Sequence, residues 1–281
     1  MINWGGKLQT WKETDAELIL RAAKYGDGAF ETMRAIEGSI AFLEDHYFRL
    51  MATMRVMRMP IPMEFTPEFI QAECSKLLTA AGTPNAVCRF QAVRSGGGAL
   101  DTTGTEVHWW IEQRPVAPPS YELNAEGLVV DLYKDHLLSV DPLATFKTSN
   151  ALPYVLGKHF ATEMGLDDVL LVNTAKGVVE ATSSNIFVVK DGELITPPIT
   201  EGALRGIIRK QLLLWAKDLG LTPVEAPINP FSLQKADEIW LTNAVKGIQW
   251  VGQYRKASYS AAFAEKAMAM LQEKAGAQLE S

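Results

Sequence analysis

The chain has 281 residues, 47% apolar and 21% charged, a balance that suits one large globular domain or two modest ones. Its formal net charge of −6, with no basic run interleaved with aromatics, argues against a nucleic-acid surface. No apolar stretch is long enough for a bilayer, residues 1–11 lack a secretion-signal pattern, and Cys74 and Cys88 stand in no metal-ligand spacing. The expectation is a cytoplasmic protein that holds no metal and touches no membrane.

In chain order, Gly5-Gly6 reads as a turn between two short strands. Residues 39–43 form a strand, and a helix opens at Glu44-Asp45 and ends before Pro60. Thr66 caps a helix whose amphipathic run is 69–81. Strands follow at 85–94 and 107–112. The proline-rich stretch 115–121 is the linker, dividing a smaller N-terminal α/β domain (1–114) from a larger C-terminal domain (122–281). In the second half, 128–131 is a strand and 154–164 a helix stopped by Gly165. Strands are expected at 169–173, 178–180 and 186–190, with Asp191-Gly192 as a hairpin turn into 192–196. A helix runs over 207–219 to Gly220, a strand over 239–242, and a terminal helix over 257–274 with a frayed tail after Gly276.

The segment VVEATSSNIFVVKDGELITPPITEGALRGIIR is the most informative. It offers a carboxylate at Glu180, hydroxyls at Thr182, Ser183 and Ser184, and backbone N–H groups at a helix start, Ile207 and Ile208. A helix N-terminus favours an anion, so the set reads as a receptor for a phosphorylated, nitrogen-containing cofactor. Three separated blocks occur in one order: YGDGAFETMR with DHYFRL, then FKTSN, then VVEATSSNIF through GIIR. Together they resemble the fold-type IV pyridoxal-phosphate enzymes, the class IV aminotransferases and their relative 4-amino-4-deoxychorismate lyase. The resemblance spans residues 25–251 and implies a two-domain α/β (α+β) fold with pyridoxal 5'-phosphate as cofactor.

Residue by residue, the resemblance implies that Lys147 bonds to the cofactor's aldehyde and then moves protons, and that Glu180 faces the pyridine nitrogen. Arg49 and the Ile207 and Ile208 amides would take the phosphate. Asn243 matches a position near it, although Ala244 stands where many relatives carry threonine. Thr182, Ser183 and Ser184 either line the cofactor or serve turn chemistry. Thr32 is implicated in proton handling, and Tyr25 in substrate contact. Arg94 is the candidate for the substrate carboxylate, through its bidentate fork. Arg89, five residues earlier on the same strand, lies on the opposite face, so one of the two faces the site and which one stays open.

Two reactions fit this frame. One is transfer of an amino group between an amino acid and a 2-oxo acid. The other is loss of pyruvate from aminodeoxychorismate, towards which Thr32, LTNA and the run Arg94-Ser95-Gly96-Gly97-Gly98 lean. Aminotransfer is placed ahead because that class is broader. The absence of a G-x-G-x-x-G turn argues against a dinucleotide oxidoreductase. The joint presence of Lys147, Glu180 and Arg49 argues against a binding protein that has lost turnover. The resemblance also implies a homodimer.

Overall fold

A computed structural model describes residues 1–10, 20–95, 100 and 106–280. The chain divides into two compact units. The first contains Met1–Ser120, Phe146–Asn150 and Ala275–Ser281; the second contains Tyr121–Thr145 and Ala151–Lys274. A cut at the proline-rich stretch therefore omits the return of the Lys147 segment to the first unit.

The first unit is built on β1 (Ile2–Trp4), β2 (Lys7–Gln9), β3 (Gly28–Ile36), β4 (Ser39–Ile40), β5 (Ala86–Arg94) and β6 (Val107–Pro115). They form one antiparallel sheet ordered β2-β1-β6-β5-β3-β4. Its helices are α1 (Leu20–Tyr25), α2 (Leu43–Val56) and α3 (Pro67–Ala81). The Phe69 N–H donates to Thr66 Oγ1 at 3.1 Å, as the capping signal predicts, and Gly82 closes α3 at φ 66°. Ala29 and Met33 of β3, with Cys88, Phe90 and Ala92 of β5, share a core with Leu50, Met54, Ile70 and Leu77 of the helices. Strand residues alternate faces, so Phe30, Thr32, Arg89 and Gln91 fall on the side that α2 and α3 do not cover.

The second unit contains β7 (Leu128–Leu138), β8 (Asp168–Asn173), β9 (Val178–Ala181), β10 (Asn185–Lys190), β11 (Glu193–Thr196), β12 (Thr222–Glu225), β13 (Glu238–Asn243), β14 (Gly247–Tyr254) and β15 (Ala257–Ser258). Its path runs β12-β11-β10-β13-β14-β7-β8-β9, and β9 pairs back to β10 through Glu180 and Asn185. Six strands thus close a ring, and Glu180 sits at the joint. Leu170, Val178, Ile186, Val188, Ile239 and Leu241 fill its core. Asp191 and Gly192 both take positive φ, 51° and 79°, between the paired Lys190 and Glu193. Two left-handed residues are what a two-residue hairpin turn needs.

The helices here are α4 (Leu152–Glu163), α5 (Ile207–Trp215) and α6 (Ala262–Glu280). A 3-10 turn, Ala216–Leu219, follows α5 and ends at Gly220, φ 75°. The terminal helix starts later than expected. Residues 257–258 pair with Gln253 and Tyr254 instead, and the Glu238 carboxylate accepts the Phe263 and Ala264 N–H groups at 2.8 and 3.0 Å. A strand side chain therefore sets the helix start. The helix also continues past Gly276 rather than fraying there, and Ala275 is buried.

Candidate active site

In the first unit the lysine block docks along β3. The Phe30 N–H donates to the Lys147 carbonyl at 3.1 Å, and the Ser149 N–H donates to the Gly28 carbonyl at 2.8 Å. Asn150 Nδ2 reaches the Gly26 carbonyl at 3.3 Å. Gln91 Nε2 donates to Ser149 Oγ and to the Ala29 carbonyl, each at 3.1 Å. Two glycines leave room for this approach. A Cβ at Gly26, where φ is +65°, would lie 2.2 Å from Asn150 Oδ1, and one at Gly28 would lie 2.8 Å from Ser149 Oγ and Gln91 Nε2. YGDG and FKTSN, far apart in sequence, are thus two halves of one docking device. Lys147 Nζ lies 4.4 Å from the Phe30 ring centroid, and the Arg89 guanidinium carbon 3.8 Å from the same centroid. Thr32 is half-buried and sits directly across from Arg89.

Arg94 lies on the opposite parity of β5. Its Nε meets Asp27 at 3.0 Å, its Nη1 donates to the Arg58 carbonyl at 2.8 Å, and its Nη2 donates to the Met57 carbonyl. All three guanidinium nitrogens of a buried side chain are thereby used to tie β5 to the end of α2. The Arg94 guanidinium is thus engaged within the fold. Arg89 lies on the face that carries Lys147. Its own bonds are to Gln91 Oε1 at 3.0 Å and to Glu112 at 3.8 Å, and its side chain is 38% exposed. Residues 96–98 of the arginine-glycine run lie outside the described residues. Tyr25 is exposed at the end of α1, 5.4 Å below the Arg21 guanidinium.

Arg49 makes a bidentate pair with Glu31, Nε–Oε1 at 2.7 Å and Nη2–Oε2 at 2.6 Å. His46 Nδ1 meets Glu31 Oε2 at 2.6 Å. Burial pushes the Glu31 carboxyl up, but Arg49 and His46 overcome it and leave it at about 2. Burial pulls His46 down, Glu31 pulls it up, and the Arg49 and Lys147 charges add to the downward pull; the net is downward. The imidazole is held neutral beside an ion pair.

In the second unit Glu180 is 3% exposed and pinned on both oxygens. Oε1 accepts the Tyr154 hydroxyl at 2.7 Å; Oε2 accepts Asn185 Nδ2 at 3.2 Å and the Leu204 N–H at 3.0 Å. Donors of this kind stabilise the ionised form. Tyr154 and Asn185 were not singled out from the sequence. Tyr154 reads there as one more helix residue, because nothing local marks a partner 26 residues away.

The hydroxyl cluster divides. Thr182 Oγ1 donates to Asp168 at 2.7 Å, and Ser184 Oγ accepts Asn243 Nδ2 at 2.9 Å. Asn243 Oδ1 accepts the Val245 and Lys246 N–H groups at 2.9 and 2.8 Å, so this side chain shapes the turn after β13. Ser183 is exposed and, with Thr182, Tyr154, Lys158 and Lys246, lines a cavity of about 450 Å³. At the start of α5, a Cβ on Gly206 would fall 1.8 Å from Asn185 Oδ1, so glycine is required there. The Ile207 and Ile208 side chains are buried, and their amides belong to the first turn, where helix geometry supplies no internal acceptor. Among the described residues no cluster of His, Cys, Asp and Glu could hold a metal, and no helix is long and apolar enough to cross a membrane.

Taken separately, each unit offers groups that suit pyridoxal 5'-phosphate: the first a half-buried lysine, the second a buried carboxylate that accepts three hydrogen bonds and helix-start amides of the kind that take phosphate. Comparison with known proteins agrees. A relative from Methanocaldococcus jannaschii, which carries a provisional branched-chain-amino-acid aminotransferase name, is 31% identical over 247 residues, covering 86% of this chain and 84% of its own. An aminodeoxychorismate lyase from Vibrio harveyi is 25% identical, covering 84% and 86%. The crystal structure of a branched-chain aminotransferase from Thermoproteus uzoniensis superposes with a TM-score of 0.88 at 24% identity, over 99% of this chain and 97% of that one. The amino-transferase class IV family model matches residues 28–254, and the chain belongs to that family.

Proposed function

We propose that this protein is a pyridoxal-phosphate-dependent aminotransferase that moves an amino group between an amino acid and a 2-oxo acid, with Lys147 as the reacting lysine. The observation that carries the reading is the placement of Lys147. Four hydrogen bonds, to Gly26, Gly28, Phe30 and Gln91, fix its segment, and its amine lies over the Phe30 ring that the Arg89 guanidinium also contacts. The cofactor, when bound, supplies an electron sink for the carbon that loses its proton.

The chain's own residues do the rest. Lys147 Nζ would hold the cofactor through its amine and, freed when substrate binds, would remove and return the proton at the reacting carbon. Glu180 answers the ring nitrogen. Arg49, held rigid by Glu31, and the Ile207 and Ile208 amides hold the phosphate. Thr32 assists the proton transfer at Lys147, and Arg89 takes a carboxylate of the substrate through its fork. Tyr25 contributes a hydroxyl on the substrate side, and Thr182, Ser183, Ser184 and Asn243 shape the turns beside Glu180. The protein works as a cytoplasmic homodimer, a state that family membership supports; sedimentation showing an active monomer would refute it.

The names of the relatives put branched-chain amino acids first among substrates to try. Aminodeoxychorismate lyase is the second reading. Thr32, on the same face as Lys147, supports it; the arginine at 94 does not, because its fork is spent on the fold.

The test of the lysine is borohydride reduction of the loaded protein followed by peptide mass spectrometry. The expected result is the cofactor's mass on the peptide containing Lys147, and none in Lys147→Ala. A label on any other lysine overturns the assignment.

A further inference from the structure

We propose that Tyr154 is a positioning residue for the reaction: its hydroxyl fixes the Glu180 carboxylate in the orientation in which it answers the ring nitrogen. The proposal rests on the reading of Glu180 given above. Tyr154 lies in the first turn of α4, and its O–H donates to Glu180 Oε1 at 2.7 Å, a normal length for a hydroxyl on a carboxylate. Asn185 and Leu204 both donate to the other oxygen. The phenol therefore completes a clamp that spans both oxygens, and turning the carboxylate about its last torsion would strain all three bonds.

The helix is packed to allow this reach. One turn on, Gly157 is buried, and a Cβ there would lie 3.1 Å from Leu171 Cδ2 and 3.2 Å from Thr182 Cγ2. A bare glycine brings α4 against β8 and the turn after β9, which carry those two neighbours. Burial and the Glu180 carboxylate push the Tyr154 hydroxyl far above its ordinary value, so it stays protonated and keeps donating.

A donor on a carboxylate lowers that carboxylate's affinity for a proton. With the hydroxyl in place, Glu180 would leave a shared proton on the ring nitrogen of a bound cofactor; without it, Glu180 would draw that proton towards itself and the electron sink would weaken. The hydroxyl thus acts on the reaction without touching substrate or cofactor.

The test is Tyr154→Phe, which removes one oxygen and keeps the ring that packs. In the full chain without cofactor, the Glu180 carboxyl is followed by carbon-13 NMR titration, assigned with Glu180→Gln. The expected result is titration about one pKa unit higher in Tyr154→Phe than in the parent. In the loaded protein, with nitrogen-15 in the cofactor ring, the ring nitrogen should lose its proton at a lower pH in Tyr154→Phe. Superimposable Glu180 titrations would reduce Tyr154 to packing and overturn the proposal. A ring signal that responds to Glu180→Gln but not to Tyr154→Phe also overturns it, and leaves the Glu180 reading intact. A ring signal that ignores Glu180→Gln as well removes that reading, and the proposal falls with it.

Discussion

Two buried glutamates, one in each unit, are held in different ways. Glu31 is 1% exposed and is gripped by a bidentate arginine with a histidine beside it. Glu180 is 3% exposed and is gripped by a phenol, a side-chain amide and a backbone N–H. The partners of Glu31 include a cation, so the pair neutralises itself and anchors β3 to α2. The three donors on Glu180 bring no charge of their own, which suits a carboxylate meant to meet a cationic ligand group. Burial alone does not separate these two carboxylates; the charge of their neighbours does.

The largest effect that sharpens this contrast is on turnover. Lys147→Ala should lower it by more than about 10³-fold, because no other group replaces the proton carrier; the unfolding midpoint should barely move. Near-normal turnover in that variant would reject the site.

Next in size is Glu31→Gln, which leaves Arg49 buried without its carboxylate. The expected loss is about 3 kcal/mol of stability at pH 7, read from urea unfolding. The same pair gives a pH signature. Glu31 titrates at about 2 in the fold against 4.5 unperturbed, so the pair's contribution is complete above pH 4.5 and is lost as pH falls towards 2. Acid unfolding should therefore be shallower over that window in Glu31→Gln than in the parent. If parent and variant lose stability in parallel, Glu31 is not the anchor described.

Smaller but diagnostic is the arginine pair. Arg94→Lys should cost about 1–3 kcal/mol of stability through broken buried bonds and leave KM nearly unchanged. Arg89→Lys should raise the KM of a carboxylate substrate by roughly tenfold or more, with little change in stability. The reverse pattern would return the substrate role to Arg94. Smallest is Gly26→Ala, which meets both a left-handed φ and the Asn150 side chain. About 1–2 kcal/mol of stability should be lost, with a fall in cofactor affinity as the Lys147 segment shifts. Unchanged affinity would show that the lysine block does not depend on that docking.

Local signals in the sequence went far. Thr66, Gly82, Asp191-Gly192 and Gly220 mark their boundaries because capping and turn preferences act within four residues. What the sequence hid was set by distant partners. The start of α6 depends on Glu238, and β14 (Gly247–Tyr254) begins and is interrupted by glycines that weaken any strand pattern. The parity of Arg89 and Arg94 is legible, but which parity faces Lys147 is decided by the side that α2 and α3 cover. Lys147 and Glu180 could be picked out by motif, whereas Tyr154, Asn185 and Gln91, which hold them, carry no motif at all.

The most direct measurement is a single half-reaction, with the bound cofactor's absorption followed as one amine at a time is added without any 2-oxo acid. An amino acid, from the branched-chain group first and in both configurations, should bleach the band in proportion to the protein and leave the aminated cofactor. An unchanged band with every amino acid, together with repeated release of pyruvate from aminodeoxychorismate, would contradict the aminotransferase account and establish the lyase.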